Sequence, residues 1–364
     1  MSAKQRGYLA IALILMTLAT VGSLWAQDFD PTTLDEIQPV DMEGDKFKVS
    51  ALLFGDAFSI QSHHLEDFDG ESGWWTRRIY FTTDFANFGL GDTVVRLRLE
   101  ANQLDDFTTD YKSTLKDAYV LFRPGEHQIW LGRVPTLTFS AVEAHWGFRW
   151  FEKTAMDIQG ANSRLDGIRA AGPLTPDGPF YYRFAAGQSK DLGFATDHVR
   201  KGQIGFTYMP DDRQFFVDLY LDYLDEDEGT YQDTAWSYQL HGGWNGEENY
   251  GGLHYFHREW DNAEAEKFRL VSAYYTHVFG SRKWDVVTRI DYLFDPSVKG
   301  NGIDYIPFDP TARATALYGG IGIKLHKYVD IMPNVKFVTY DENDAGIRPD
   351  DDVYLNLTLN LTIP

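Results

Sequence analysis

The 364-residue chain contains no cysteine. Disulfides, thiolate metal sites and a lipid-modified cysteine near an export signal are therefore excluded. Beyond the first 26 residues no stretch approaches about eighteen consecutive apolar residues, which excludes helical membrane spans. Positive charge is scarce: 33 Lys and Arg stand against 54 Asp and Glu, for a formal net charge of −21. Phosphate backbones require a basic footprint, so nucleic acid is not a partner. A phosphate loop and a dinucleotide fingerprint are also absent, and Gly187-Gln188-Ser189 lacks the closing glycine of a nucleophile elbow. His254 and His257 are three apart on a strand and so point to opposite faces. His63 and His64 are adjacent in a loop with only acids nearby, which indicates a structural or solvated role. No metal, cofactor or catalytic residue is expected, because no nucleophile, histidine and acid can be assembled on one outer face.

The first segment has its own layout. Lys4 and Arg6 precede an apolar run from Tyr8 to about Gly22, followed by Ser23-Leu24-Trp25-Ala26. This predicts a signal peptide over 1–26, cut after Ala26, whose loss would make the chain two units more acidic. Residues 27–45 are acidic, contain Pro31 and Pro39 and show no periodicity, as a flexible leader would. The remainder, 46–364, is the candidate barrel.

From Phe47 onward the hydropathy alternates with period two. Val353, Leu355, Leu357, Leu359, Leu361 and Ile363 are separated by Tyr354, Asn356, Thr358, Asn360 and Thr362. Phe215, Val217, Leu219, Leu221 and Tyr223 alternate with Phe216, Asp218, Tyr220 and Asp222. A strand sends successive side chains to opposite faces, so each segment is greasy on one side and wet on the other. About sixteen such segments occur, each long enough to cross a bilayer at a tilt. They lie near 47–61, 74–87, 93–103, 112–123, 126–134, 163–173, 178–188, 200–209, 213–224, 233–244, 250–259, 267–278, 283–294, 312–325, 328–340 and 351–363.

Short and long connections alternate between these segments, giving one rim of tight turns and one rim of loops. This predicts an all-β fold, a transmembrane up-and-down antiparallel β-barrel of about sixteen strands. The loop rim is acidic, as in LEDFDGES and LDEDEGT. Such loops are either simply solvated, or hold divalent cations that bridge to surface lipopolysaccharide, or attract cations to the pore mouth. Trp74, Trp75, Trp130, Trp236, Trp244, Tyr274, Trp284 and Tyr340 lie near segment ends and suit a membrane-interface girdle.

The stretch 72–172 carries a series of motifs. Gly73-Trp74-Trp75-Thr76-Arg77-Arg78 comes first, then Leu115-Lys116-Asp117-Ala118-Tyr119-Val120 and Ile129-Trp130-Leu131-Gly132-Arg133-Val134-Pro135. Phe148-Arg149-Trp150-Phe151-Glu152-Lys153 and Ser163-Arg164-Leu165-Asp166-Gly167-Ile168 complete it. In this order they resemble the outer-membrane porins grouped as phosphate- and pyrophosphate-selective. The resemblance covers about a third of the chain, which departs from the pattern in ending Thr362-Ile363-Pro364 rather than in an aromatic residue. It implies a bacterial outer-membrane channel for small hydrophilic solutes or ions, possible anion preference, a homotrimer, and a third loop, 135–162, folded into the lumen.

Parity places Arg78, Arg96, Arg98, Arg169, Arg183 and Arg289 toward the lumen as candidate pore-lining residues. Facing them, the third loop would offer Glu143, Arg149, Glu152, Lys153 and Asp157. Opposed charges across a narrow, low-dielectric passage create a transverse field that filters ions. Each arginine could equally be a structural partner for Asp84, Glu100 or Asp117. The competing readings are a surface adhesin or structural barrel with a plugged lumen, and a barrel enzyme.

Overall fold

The computed structural model describes residues 47–86, 91–103, 110–190, 199–226, 234–261, 266–279, 283–304 and 306–363. The expected signal peptide at 1–26 and the leader at 27–45 lie outside the described residues.

Sixteen strands follow one another: β1 Phe47–Ser62, β2 Ser72–Ala86, β3 Thr93–Gln103, β4 Tyr111–Phe122, β5 Gln128–Pro135, β6 Arg164–Pro173, β7 Phe180–Ser189 and β8 Val199–Tyr208. The second half comprises β9 Phe215–Glu226, β10 Thr234–Asn245, β11 Asn249–Asp261, β12 Lys267–Phe279, β13 Trp284–Leu293, β14 Ala314–His326, β15 Val329–Tyr340 and β16 Asp352–Ile363. Each strand pairs antiparallel with its sequence neighbours, and β1 pairs with β16 to close the ring. Closure leaves no unpaired edge, the condition for a sheet to exist in lipid. Every expected strand is present, with ends within two residues of the hydropathy pattern.

The alternation has the expected physical outcome on the outer face. Phe215, Val217, Leu219 and Leu221 of β9 are exposed, as are Leu355 and Leu357 of β16, whereas Asp218, Asp222 and Thr358 are buried inside. An encircling apolar surface of this size needs lipid to cover it. No helix among the described residues is long and apolar enough to cross a membrane. Of the expected girdle, Trp74, Trp236, Trp244 and Trp284 stand exposed on the outside. Trp75, Trp130, Tyr274 and Tyr340 instead face inward and are buried, which corrects that expectation. For Trp75 the reason is a register shift between Phe54 and Asp56, which brings Trp75, Arg77 and Arg78 all inward, while Thr76 meets Trp74 and Tyr111.

The inner face is not uniformly wet. From β11 to β15 it presents Phe256, Trp260, Phe268, Leu270, Tyr274, Val287, Tyr318, Met332 and Val338, all buried. Two inward loops cover them. The third loop, 136–163, contributes Trp146, Phe148, Phe151, Met156 and Ile158; the seventh, 294–313, contributes Ile303, Ile306 and Phe308. Burying a large apolar side chain stabilises by about 1.5–3 kcal/mol, so these loops are anchored by a core of their own.

Local sequence explains the shape of the third loop. It contains two short helices, α1 Ser140–Trp146 and α2 Ala155–Ile158. In α1 the apolar Ala141, Val142 and Trp146 are buried. It ends at Gly147, whose φ of 72° is left-handed and whose N–H bonds the Glu143 carbonyl at 3.0 Å.

Candidate functional site

Between the third loop and the wall formed by β2, β3, β4 and the start of β6 lies a small pocket. Arg78, Arg96, Arg98, Lys116, Asp117 and Arg164 line it from the wall side, and Glu143, Arg149 and Asp157 from the loop side. Six cations therefore border it against three carboxylates. A second pocket shares Arg78 and Arg149 with the first and adds Arg77, Lys153, Glu100 and Asp304, so the two are adjacent.

The wall cations are held by carboxylates on neighbouring strands. Arg96 binds Asp84 through two bonds, Nε to Oδ1 at 2.7 Å and Nη2 to Oδ2 at 3.0 Å. Arg98 Nη1 lies 3.0 Å from Asp117 Oδ2, and its Nε donates to Thr82 Oγ1 at 3.0 Å. Arg164 also donates to Asp117. Lys116 Nζ is 2.9 Å from Glu100 Oε2, while Arg78 Nε is 3.7 Å from the same oxygen. Aromatic faces brace them: Arg98 sits 5.0 Å from the Tyr80 ring centroid and Arg96 5.9 Å from that of Tyr119. Charge-assisted bonds of this kind fix direction as well as position, so the ladder is rigid.

On the loop side Arg149 lies between two acids, with Nε 3.2 Å from Glu143 Oε2 and Nη2 2.7 Å from Asp157 Oδ2. The loop thus neutralises much of its own negative charge. With Asp84 and Glu100 behind the wall, the six cations of the pocket meet five carboxylates.

The remaining candidates occupy different places. Glu152 is fully buried and bound by Lys336 Nζ at 2.8 Å, so it ties the loop to the wall and does not line either pocket. Arg183 is fully buried against Asp218, and Arg169 lies 4.8 Å from the Trp130 ring centroid. Arg289 binds Asp291 and donates to the Lys153 carbonyl at 2.5 Å. All three face inward as parity requires, but none borders the first pocket. Arg78, Arg96 and Arg98 are buried, line that pocket and at the same time pair with wall carboxylates.

Arg77, Lys116 and Arg164 were missed by parity. Arg77 turns inward through the β1–β2 register shift, and Lys116 lies beside a second shift at Arg98 and Leu99. Arg164 meets Asp117 across the root of the third loop, a contact 47 residues apart in sequence.

Other bonds seat the loop against the far wall. His145 Nδ1 lies 2.6 Å from the Tyr274 hydroxyl, and His145 Nε2 lies 3.0 Å from Asn245 Oδ1. Burial, partly offset by the Asn245 bond, lowers the His145 pKa to about 4, so this imidazole is neutral. Leu137 N–H donates to Gln203 Oε1 at 3.0 Å, and Arg77 Nη1 to the Phe151 carbonyl at 3.0 Å.

No protein-family model matches the chain, and no curated protein matches it in sequence. Solved structures do match in fold. An anion-selective porin from Comamonas acidovorans superimposes with a TM-score of 0.63 at 14% identity, covering 87% of this chain and 99% of that one. The outer-membrane channel DcaP of Acinetobacter baumannii gives 0.62 at 12%, covering 87% and 97%. An outer-membrane protein of Vibrio cholerae, OmpT in its trimer form, gives 0.57 at 9%, covering 87% and 98%. The chain has the fold of the outer-membrane porins.

Proposed function

We propose that the protein is a bacterial outer-membrane channel for small hydrophilic solutes, with a preference for anions such as phosphate. The observation that carries this reading is the pocket bordered by Arg78, Arg96, Arg98, Lys116, Arg149 and Arg164, whose six positive charges exceed by one the five carboxylates that hold them, Asp84, Glu100, Asp117, Glu143 and Asp157. In a chain whose overall charge is −21, a local cation excess at the narrow place sets the field an ion meets. Rigid guanidinium groups present planar donor pairs that match phosphate and carboxylate oxygens. The fold neighbour from Comamonas acidovorans, described as anion-selective, supports the same direction.

The trimer form of the Vibrio cholerae neighbour supports a homotrimer, and the acidic loop rim suits divalent cations bridging to lipopolysaccharide. Export would use the segment 1–26. A planar bilayer bathed in a potassium chloride gradient tests the central claim. The expected result is a stable ohmic step with a reversal potential on the chloride side; a cation-side potential overturns the anion preference.

A barrel with a plugged lumen is the second reading, favoured by the apolar packing of the third and seventh loops inside the ring. Absence of any conductance step from correctly folded protein would establish it in place of the first.

A further inference from the structure

We propose that His63, His64 and Asp352 form a binding site for a borderline divalent cation of the zinc class at the loop rim of the barrel. One ligand atom from each residue lies within 4.8 Å of the others. This inference is independent of the pore reading.

The geometry is close to what such an ion requires. Zinc bonds imidazole nitrogen and carboxylate oxygen at about 2.0–2.2 Å, so tetrahedral ligands stand roughly 3.3 Å apart. His64 Nδ1 is 2.9 Å from Asp352 Oδ1, and His63 Nδ1 is 3.9 Å from it. These two separations differ from the required edge by about half an ångström, and the third, between the imidazoles, is within 4.8 Å, so the His63 ring must turn out of its stack on His64 to complete the set. His63 Nδ1 accepts a bond from the Leu65 N–H at 2.9 Å, which the ion would replace. Two imidazoles and one carboxylate select against calcium and magnesium, which take oxygen donors.

The surroundings already support ligands of this kind. His64 Nε2 lies 3.1 Å from Asn301 Oδ1, so that when Nδ1 binds an ion the other nitrogen can donate to an amide oxygen. Asp352 Oδ2 receives the Tyr340 hydroxyl at 2.5 Å and lies 3.0 Å from His64 Nδ1, while Oδ1 accepts from the His64 backbone N–H and lies 2.9 Å from the same Nδ1. The Tyr340 oxygen, 3.3 Å from His64 Nδ1, or a water can take the fourth position. The three ligand side chains are 0%, 2% and 0% exposed. The His63 ring stacks on His64 and on Phe68, with centroids 4.4 and 4.8 Å apart, which keeps bulk water out. Burial lowers the His63 pKa to about 4, so it already offers a neutral lone pair. For His64, burial is outweighed by Asp352, which raises its pKa, so a proton is the ion's competitor there.

The site joins the first loop, the seventh loop through Asn301, and the first residue of β16. An ion would therefore clamp the seam where the barrel closes.

The experiment titrates the full, folded protein in detergent with zinc chloride and records the visible spectrum of its cobalt(II) form. The expected result is one ion per chain with four-coordinate cobalt absorption. Binding should weaken at least tenfold in His63→Ala/His64→Ala and about tenfold in Asn301→Ala, both checked for folding by heat-modifiable gel migration. No stoichiometric binding, six-coordinate cobalt, or unchanged affinity in the double variant overturns the site. If the double variant does not fold, the cobalt spectrum of the unaltered chain and the Asn301→Ala affinity decide.

Discussion

Lys336 Nζ on β15 lies 2.8 Å from Glu152 Oε2 on the third loop, and neither side chain is more than 1% exposed. Asp56 and Arg77 complete the group, with Arg77 Nε 2.9 Å from Asp56 Oδ2. This buried cluster joins β1, β2 and β15 to the tip of an element that enters the lumen from between β5 and β6.

Removing one partner of a buried ion pair leaves the other desolvated, at a cost of about 3–5 kcal/mol. Glu152→Gln is therefore expected to lower stability by about 3 kcal/mol, measured as the shift in the urea midpoint of tryptophan fluorescence. Glu152→Leu with Lys336→Met should recover most of it. A single-variant loss under about 1 kcal/mol would show that the pair does not anchor the loop.

Charge removal on the wall should change selectivity. Arg96→Ala together with Arg98→Ala is expected to move the reversal potential toward cations, because Asp84 loses its bidentate partner and Asp117 one of its two arginines. No shift would remove these residues from the path of the ions. Arg149→Gln should act in the same direction by uncovering Glu143 and Asp157.

The seat of the third loop should respond to acid. The His145 pKa is lowered from 6.5 to about 4, so the unfolded chain binds more protons between those values. The associated stability is full above about pH 6.5 and is lost as pH falls toward 4, by roughly 3 kcal/mol at most. Current noise in single-channel records should rise over that window, and His145→Gln should flatten the step. A pH-independent record would exclude His145 as the sensor.

Backbone approach at Gly132 should be intolerant of a side chain. Its φ is +123°, and an added Cβ would stand 2.3 Å from the Ala118 carbonyl oxygen. Gly132→Ala strains the backbone and forces β4 from β5, so a loss of more than about 1 kcal/mol is expected. Heat-modifiable migration of the refolded variant measures it, and wild-type behaviour would refute the steric argument.

The strands were legible because lipid imposes a strict rhythm: Phe215 to Tyr223 can face only one way. Arg96 and Arg98 face inward for the same reason. Parity failed at Trp75 and Arg77, because a bulge resets it and leaves no clear mark in hydropathy. It also could not separate the two kinds of interior. Phe256 and Arg258 both point inward, yet whether such residues meet water or apolar loop depends on where the third and seventh loops lie. The same holds for Glu152, whose partner Lys336 is 184 residues away. Asp352, 288 residues from His64, left the histidine pair looking isolated.

The packing of Trp146, Phe151, Ile303 and Phe308 against β10 to β16 gives the sheet grease on both sides over much of its circumference. Those strands are sandwiched between lipid and a protein interior of the water-soluble kind. Detergent that strips the outer layer leaves the inner one intact, so this half of the wall should keep its amide protons long after the cation-lined half has exchanged them.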